Sequence, residues 1–172
     1  TVWQVMLQPS YGPINEFLRT IGIENPPKWL VDEHWALIAI MLINIWSQVG
    51  YYVAVYMSGL KNVPADLYEA AQIDGASSIQ QFRYITVPQV SPTTFFLAIM
   101  GIIGSFKVFD MISVLTAGGP GNSTSVMAYY IYKTAFTDFK MGYACALAWV
   151  LFLLIFAVTL VQWKFQDRFA NE

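Results

Sequence analysis

Three long apolar runs decide what this chain can become. Residues 35–57, 91–115 and 142–163 carry no formal charge apart from Lys107 and Asp110 in the second run. Each has the roughly 20 residues that a helix rising 1.5 Å per residue needs to cross about 30 Å of hydrocarbon. Continuous apolar character over such lengths excludes barrel strands, which cross with roughly ten alternating residues. Trp35, Tyr56, Tyr143 and Trp163 stand near the ends of the runs, where rings settle at the headgroup level. The expected fold is therefore an all-α integral membrane protein with three transmembrane helices.

Composition points the same way. Hydrophobic residues make up 56% of the chain and charged residues 12%, about half the charge of a soluble domain. The net charge of -2 leaves no basic surplus, so nucleic acid is not expected as a partner. A single cysteine, Cys145, excludes an internal disulfide and reads as a buried free thiol in its apolar run. His34 has no second His or Cys with which to hold a metal, and reads as an interfacial residue. The chain opens on Thr1 with no signal-peptide pattern, which suggests an internal start with further spans upstream.

Ahead of the first run, residues 1–34 contain Pro9, Pro13, Pro26 and Pro27 around a short amphipathic stretch. Asn15 is placed to cap a helix over 16–21, with Ile14, Leu18 and Ile21 on one face and Gly22 ending it. Positive charge does not orient the spans. Lys61, Arg83, Lys164 and Arg168 would lie on one side, Arg19, Lys28, Lys133 and Lys140 on the other.

The loop between the first two runs carries the most information. Pro64 suits a first helical turn, residues 65–71 favour helix, and Gly75 is placed to end that helix in a left-handed conformation. Ser77 or Ser78 then caps a second short helix that Pro88 stops. Leu67, Ala70, Ala71, Ile73 and Ala76 give this helix-turn-helix elbow a surface of small and apolar residues. It serves either as an interfacial hairpin or as a docking knob.

Glu69-Ala70-Ala71, Gly75, Ile85 and Pro88, with Asp74-Gly75-Ala76 and Phe82, resemble the EAA motif of ABC importer permeases; Val87 stands where that family usually has Leu. Leu115 to Pro120 with its Gly118-Gly119-Pro120, then Thr124, resembles an external loop of the maltose and sugar permeases, of the maltose-permease-F-like type. Gly12, Asn15 and Leu18 resemble that family's outer segment before its fourth core span. Taken alone, the Gly-Gly-Pro loop is equally a tight turn that reverses the chain.

The resemblance implies the last three helices of a six-helix permease core. Residues 1–34 would be extracytoplasmic, 58–90 a cytoplasmic coupling loop, 116–141 extracytoplasmic and 164–172 a cytoplasmic tail. It implies a multi-pass subunit of the bacterial cytoplasmic membrane that imports a sugar by alternating access. Its partners would be two copies of an ABC ATPase, a second permease subunit and an extracytoplasmic solute-binding protein. Glu69, Ala70, Ala71, Asp74, Gly75 and Ala76 would couple to the ATPase. The chain has no Gly-rich phosphate loop, so ATP and magnesium are expected on the partner and no enzyme activity or cofactor here.

Candidates for a substrate path come from the spans. Asn44, Ser47, Gln48 and Tyr51 follow i, i+3, i+4, i+7 spacing and share one helical face. Polar groups left unsatisfied in lipid are costly, so this face must meet protein, water or solute; it serves as interhelical glue or as a path for sugar hydroxyls. Gly101, Gly104 and Ser105 make a small-residue face on the second span. Lys107 and Asp110, three apart, are expected to pair, and are also the only candidates for the alternative of an ion-coupled secondary transporter. The third span is expected to serve packing.

Overall fold

In the computed structural model, residues 1–169 are described, and among them helices account for all regular structure. A single helix, Glu33–Lys61, covers the whole first apolar run. Asp32 starts it: its carboxylate accepts the His34 N–H at 2.9 Å, and its carbonyl accepts Ala36 N–H at 2.9 Å. His34 lies exposed with Nδ1 3.6 Å from the same carboxylate.

In order, the elements are α1 (Val2–Met6), α2 (Pro13–Thr20), α3 (Glu33–Lys61), α4 (Ala65–Ile73), α5 (Ser78–Gln81), α6 (Val87–Gln89), α7 (Ser91–Phe106), α8 (Asp110–Leu115), α9 (Met127–Tyr132) and α10 (Met141–Phe169). π-helical turns occupy Phe82–Thr86 and Lys133–Thr137. Among the described residues three stretches are long and apolar enough to cross a membrane: Glu33–Lys61, Ser91–Leu115 and Met141–Lys164. The chain divides into two compact units, one of Thr1–Ser47 with Gly104–Leu154, the other of Gln48–Ile103 with the described residues from Ile155.

The first unit is built on α3. Ala36, Ala39, Ile40 and Ile43 recur at helical spacing and are buried. Leu7 joins Ala39 and Ile43 in the core, and Trp3, Ile14, Trp29, Leu30, Met111 and Leu115 pack around them.

Asn15 holds the outer segment together, in a different role from the expected cap. The N-cap of α2 is Gly12, with Pro13 inside the first turn. Asn15 is fully buried: its Nδ2 donates to the carbonyls of Pro9 (3.2 Å) and Pro27 (3.1 Å), and its Oδ1 accepts from Trp29 Nε1 at 2.7 Å. Gly22, at φ +96°, ends the helix as expected, with Ile23 N–H reaching back to the Leu18 carbonyl. Asn15→Leu strands buried partners at about 1–3 kcal/mol for each group left unpaired. The variant of the whole transporter in detergent is therefore expected to aggregate several degrees earlier in a thermal ramp. An unchanged midpoint would mean the segment is held by other contacts.

The second span is not one rod. α7 ends at Phe106, with Lys107 N–H turning back to Gly104 C=O at 3.1 Å, and α8 begins at Asp110. This break overturns the expected Lys107–Asp110 pair. An i, i+3 pair requires helix between its members, and here both side chains are exposed with no ion pair between them.

Pro88 also departs from expectation. It does not stop a helix; a π-helical turn precedes it, closed by Val87 N–H to Phe82 C=O. Proline lacks an N–H and crowds the carbonyl four residues back. The wider turn absorbs both defects, and α6 leads through Val90 into α7.

The loop after the second span is more structured than its glycines suggest. The Thr116 and Thr124 hydroxyls hydrogen-bond at 2.8 Å, and buried Thr124 donates to Gly119 C=O at 2.7 Å. Gly118 (φ +82°) lies against the Tyr129 ring, and a Cβ on Gly121 (φ +62°) would collide with the Glu33 carboxylate. Helix α9 and the second π-helical turn follow, within a stretch expected to be loop.

Two further expectations are corrected. Cys145 is exposed on α10, because little else in the chain covers that helix. The stretch from 164, expected as a tail, continues α10 to Phe169; residues 170–172 of that expected tail lie outside the described residues.

Candidate functional site

The elbow in the second unit is assembled almost entirely by local rules. Pro64 stands just outside α4 as its N-cap, in extended conformation (φ -59°, ψ 131°). The helix runs to Ile73, Asp74 keeps right-handed geometry, and Gly75 turns left-handed at φ +77°. Its N–H bonds Gln72 C=O at 3.1 Å and that of Ala76 reaches Ala71 C=O at 2.8 Å, which completes a glycine-terminated helix end. No atom lies within 4 Å of where a Gly75 Cβ would stand. Backbone conformation alone demands glycine there.

Ser77 caps the second arm. Its N–H and hydroxyl both donate to Gln80 Oε1, at 2.7 and 2.9 Å. Gln81 Nε2 donates to Ala76 C=O at 3.1 Å, and the Tyr68 and Thr86 hydroxyls bond at 2.8 Å across the two arms. Sequence spacing had not revealed that last clamp, since it joins positions 18 apart.

The tip that results is apolar and acidic. Glu69, Ala70, Asp74 and Gly75 are exposed, while Ala71 and Ala76 are half-buried where the arms meet. Ile73 is 87% and Ile79 80% exposed, with Phe82 and Tyr84 also open. So many exposed apolar groups on one loop make it a candidate contact surface. Between Pro64 and Pro88 the sequence holds three carboxylates, Asp66, Glu69 and Asp74, and one cation, Arg83. Among the described residues none of the four forms an ion pair. Ile79, Phe82 and Tyr84 extend the knob beyond the small residues that drew attention in the sequence.

The residues proposed for a path divide into three groups. Asn44 is half-buried, its Nδ2 making a weak 4.0 Å contact with Met111 Sδ, and Ser47 donates back to the Asn44 carbonyl at 2.8 Å. Gln48 and Tyr51 are exposed; Tyr51 meets the edge of Tyr52 at 6.0 Å between ring centroids. Gly104 is half-buried with open space at its missing side chain, and Ser105 is exposed. The third span, expected to serve packing, keeps Trp149, Phe152 and Phe156 exposed. Among the described residues no cluster of three or more His, Cys, Asp or Glu forms a metal site.

Comparison with known proteins bears on the whole chain. The family described as binding-protein-dependent transport system inner membrane component matches residues 2–171. The probable ABC transporter permease YurN of Bacillus subtilis is 38% identical over 95% of this chain and 56% of its own length. The sulfoquinovosyl glycerol transport permease SmoG of Agrobacterium fabrum is 37% identical over 88% of the chain and 49% of its own. A bacterial alginate ABC transporter, solved with an alginate pentasaccharide-bound periplasmic protein, superposes with a TM-score of 0.87 at 26% identity. That match takes in 98% of this chain and 59% of the other. The chain thus spans between about half and three fifths of the length of these relatives.

Proposed function

Because the chain belongs to the family of binding-protein-dependent transport system inner membrane components, a transport family of membrane proteins, we propose that it is the permease subunit of an ABC importer for a carbohydrate. Transport would proceed by alternating access in the bacterial cytoplasmic membrane. ATP and magnesium would be handled by two copies of a separate ATPase. A second permease subunit would complete the membrane domain, and an extracytoplasmic binding protein would deliver the solute.

The elbow carries this reading. A rigid, capped knob with exposed Ile73, Ile79, Phe82 and Tyr84 beside Glu69 and Asp74 has the chemistry to seat in a groove of a soluble partner, with the carboxylates meeting cations at its edge. Glu69, Ala70, Ala71, Asp74, Gly75 and Ala76 are assigned to that contact. The carbohydrate class is supported by the names of relatives, one a permease for sulfoquinovosyl glycerol and one an alginate transporter. Purifying the whole transporter through a tag on this subunit is expected to bring down an ATPase whose hydrolysis rises with solute-loaded binding protein. Uptake that follows an ion gradient without ATP would overturn the proposal.

The same reading sets orientation, which charge does not. The elbow, residues 58–90, and the stretch from Lys164 are assigned to the cytoplasm, and residues 1–34 and 116–141 to the outside. Cysteine at Asn122, in an exposed turn, should react with a membrane-impermeant maleimide in whole cells, whereas cysteine at exposed Gln80 should react only after permeabilisation. The reverse pattern would invert the topology.

A further inference from the structure

The polar row on the first span does not end at Tyr51. Continuing along α3 in steps of four and three gives Val55, Ser58 and, in the turn just beyond the helix, Asn62. The face marked by Gln48 and Tyr51 therefore stays largely polar down to the elbow. Ser58 and Asn62 are exposed, and among the described residues neither side chain has a hydrogen-bond partner.

Within the second unit these residues border a shallow, widely open cavity of about 560 Å³. Tyr51, Ser58 and Asn62 line it from the first span, and Pro92, Thr93 and Phe96 from the start of the second. A tight seam beside the cavity fixes its walls. Gly59 meets Thr93 so closely that a Cβ would lie 2.7 Å from the hydroxyl, Tyr56 OH donates to Thr94 Oγ1 at 3.1 Å, and Gly101 lies against the Tyr52 hydroxyl. The volume falls in the range of roughly 300–1,000 Å³ typical of small-molecule sites, as does the mixture of aromatic wall and few polar groups. Ser58 and Asn62 stand at the elbow end of the span, past its apolar run, where their exposed hydrogen-bonding groups take partners from water or from a solute rather than from lipid chains. A polyhydroxylated solute supplies those partners, and the rings of Tyr51 and Phe96 offer apolar faces to its carbon skeleton.

We propose that this cavity is a release-side binding site for the transported carbohydrate, with Ser58, Asn62 and Thr93 as its hydrogen-bonding groups. The assignment rests on the importer reading above. Its test uses the assembled transporter in proteoliposomes, with Cys145→Ser as background and Asn62→Cys as reporter. The reporter is treated with a glucose-bearing methanethiosulfonate or with n-hexyl methanethiosulfonate. After normalisation to each reagent's rate with free cysteine, the glucose reagent is expected to react about tenfold faster. One to two hydrogen bonds account for a ratio of that size. Adding Ser58→Ala with Thr93→Val should bring the ratio toward one.

A faster hexyl reagent would show a lipid-filled groove, and no reaction with either would show a cavity covered by protein. A ratio of one from the outset would show mere solvent. Each of these overturns the site. ATP hydrolysis stimulated by binding protein is measured on the same vesicles. Intact stimulation with a lost ratio removes this site alone, whereas a sugar-selective ratio without stimulation removes the importer reading instead.

Discussion

Gly75→Leu is expected to leave the subunit in the membrane and the binding protein competent, yet to return ATP hydrolysis by the whole transporter to its unstimulated rate. Gly75 sits at φ +77° with open space around it, so a side chain meets no neighbour. The cost is conformational, roughly 1–2 kcal/mol for a left-handed non-glycine residue. A penalty of that size lowers the share of correctly shaped elbows by about 5–30-fold. Gly75→Asn, which tolerates left-handed backbone better, should recover much of the loss. Glu69→Lys tests the same surface through charge, since exposed Glu69 bears no part in the fold of the elbow. Both Gly75→Leu and Glu69→Lys should reduce copurifying ATPase or abolish its stimulation, measured with and without loaded binding protein. Normal stimulation and uptake in both variants would remove the elbow as the coupling element.

How far the sequence could be read depended on the range of the forces involved. Gly75, Ser77 and Gly22 were legible because a left-handed turn or a capped helix start is decided within a few residues. Asn15 was misread because its partners, Pro9, Pro27 and Trp29, are up to 14 positions away, and local spacing favours the capping role for Asn. Pro88 was misread for a different reason. Proline forbids regular α-helix across it, but a π-helical turn over Phe82–Thr86 evades the prohibition, and composition gives no sign of that. The Lys107–Asp110 pair assumed an unbroken second span, and the break at 107–109 removes the geometry on which pairing depends. The polar row could be read as far as Tyr51 by periodicity. Its continuation to Ser58 and Asn62 emerges only beside a cavity whose other wall comes from the second span.

Gln48→Leu should give the largest loss of uptake among the path residues. In a helix otherwise made of Ile, Leu, Ala, Met and Trp, an exposed amide has to find its partners outside its own helix. Among the described residues the chain supplies none for Gln48. Asn44 differs: it is half-buried against Met111 through a weak N–H to sulfur contact, so part of its role lies in helix packing. Leucine keeps approximate side-chain bulk at both positions, and what it removes is hydrogen bonding. If the row pairs with solute hydroxyls, losing the amide removes one bond and leaves a hydroxyl unsatisfied, about 1–3 kcal/mol in all and about 5- to 150-fold in transport at low solute concentration. The amount of assembled transporter should be unchanged for Gln48→Leu and slightly reduced for Asn44→Leu. Initial uptake rates in proteoliposomes, divided by the amount of intact complex recovered, separate the two roles. A Gln48→Leu subunit that fails to assemble would show that the row is glue between helices, whereas assembly with full uptake would show that no solute bond is made at that position.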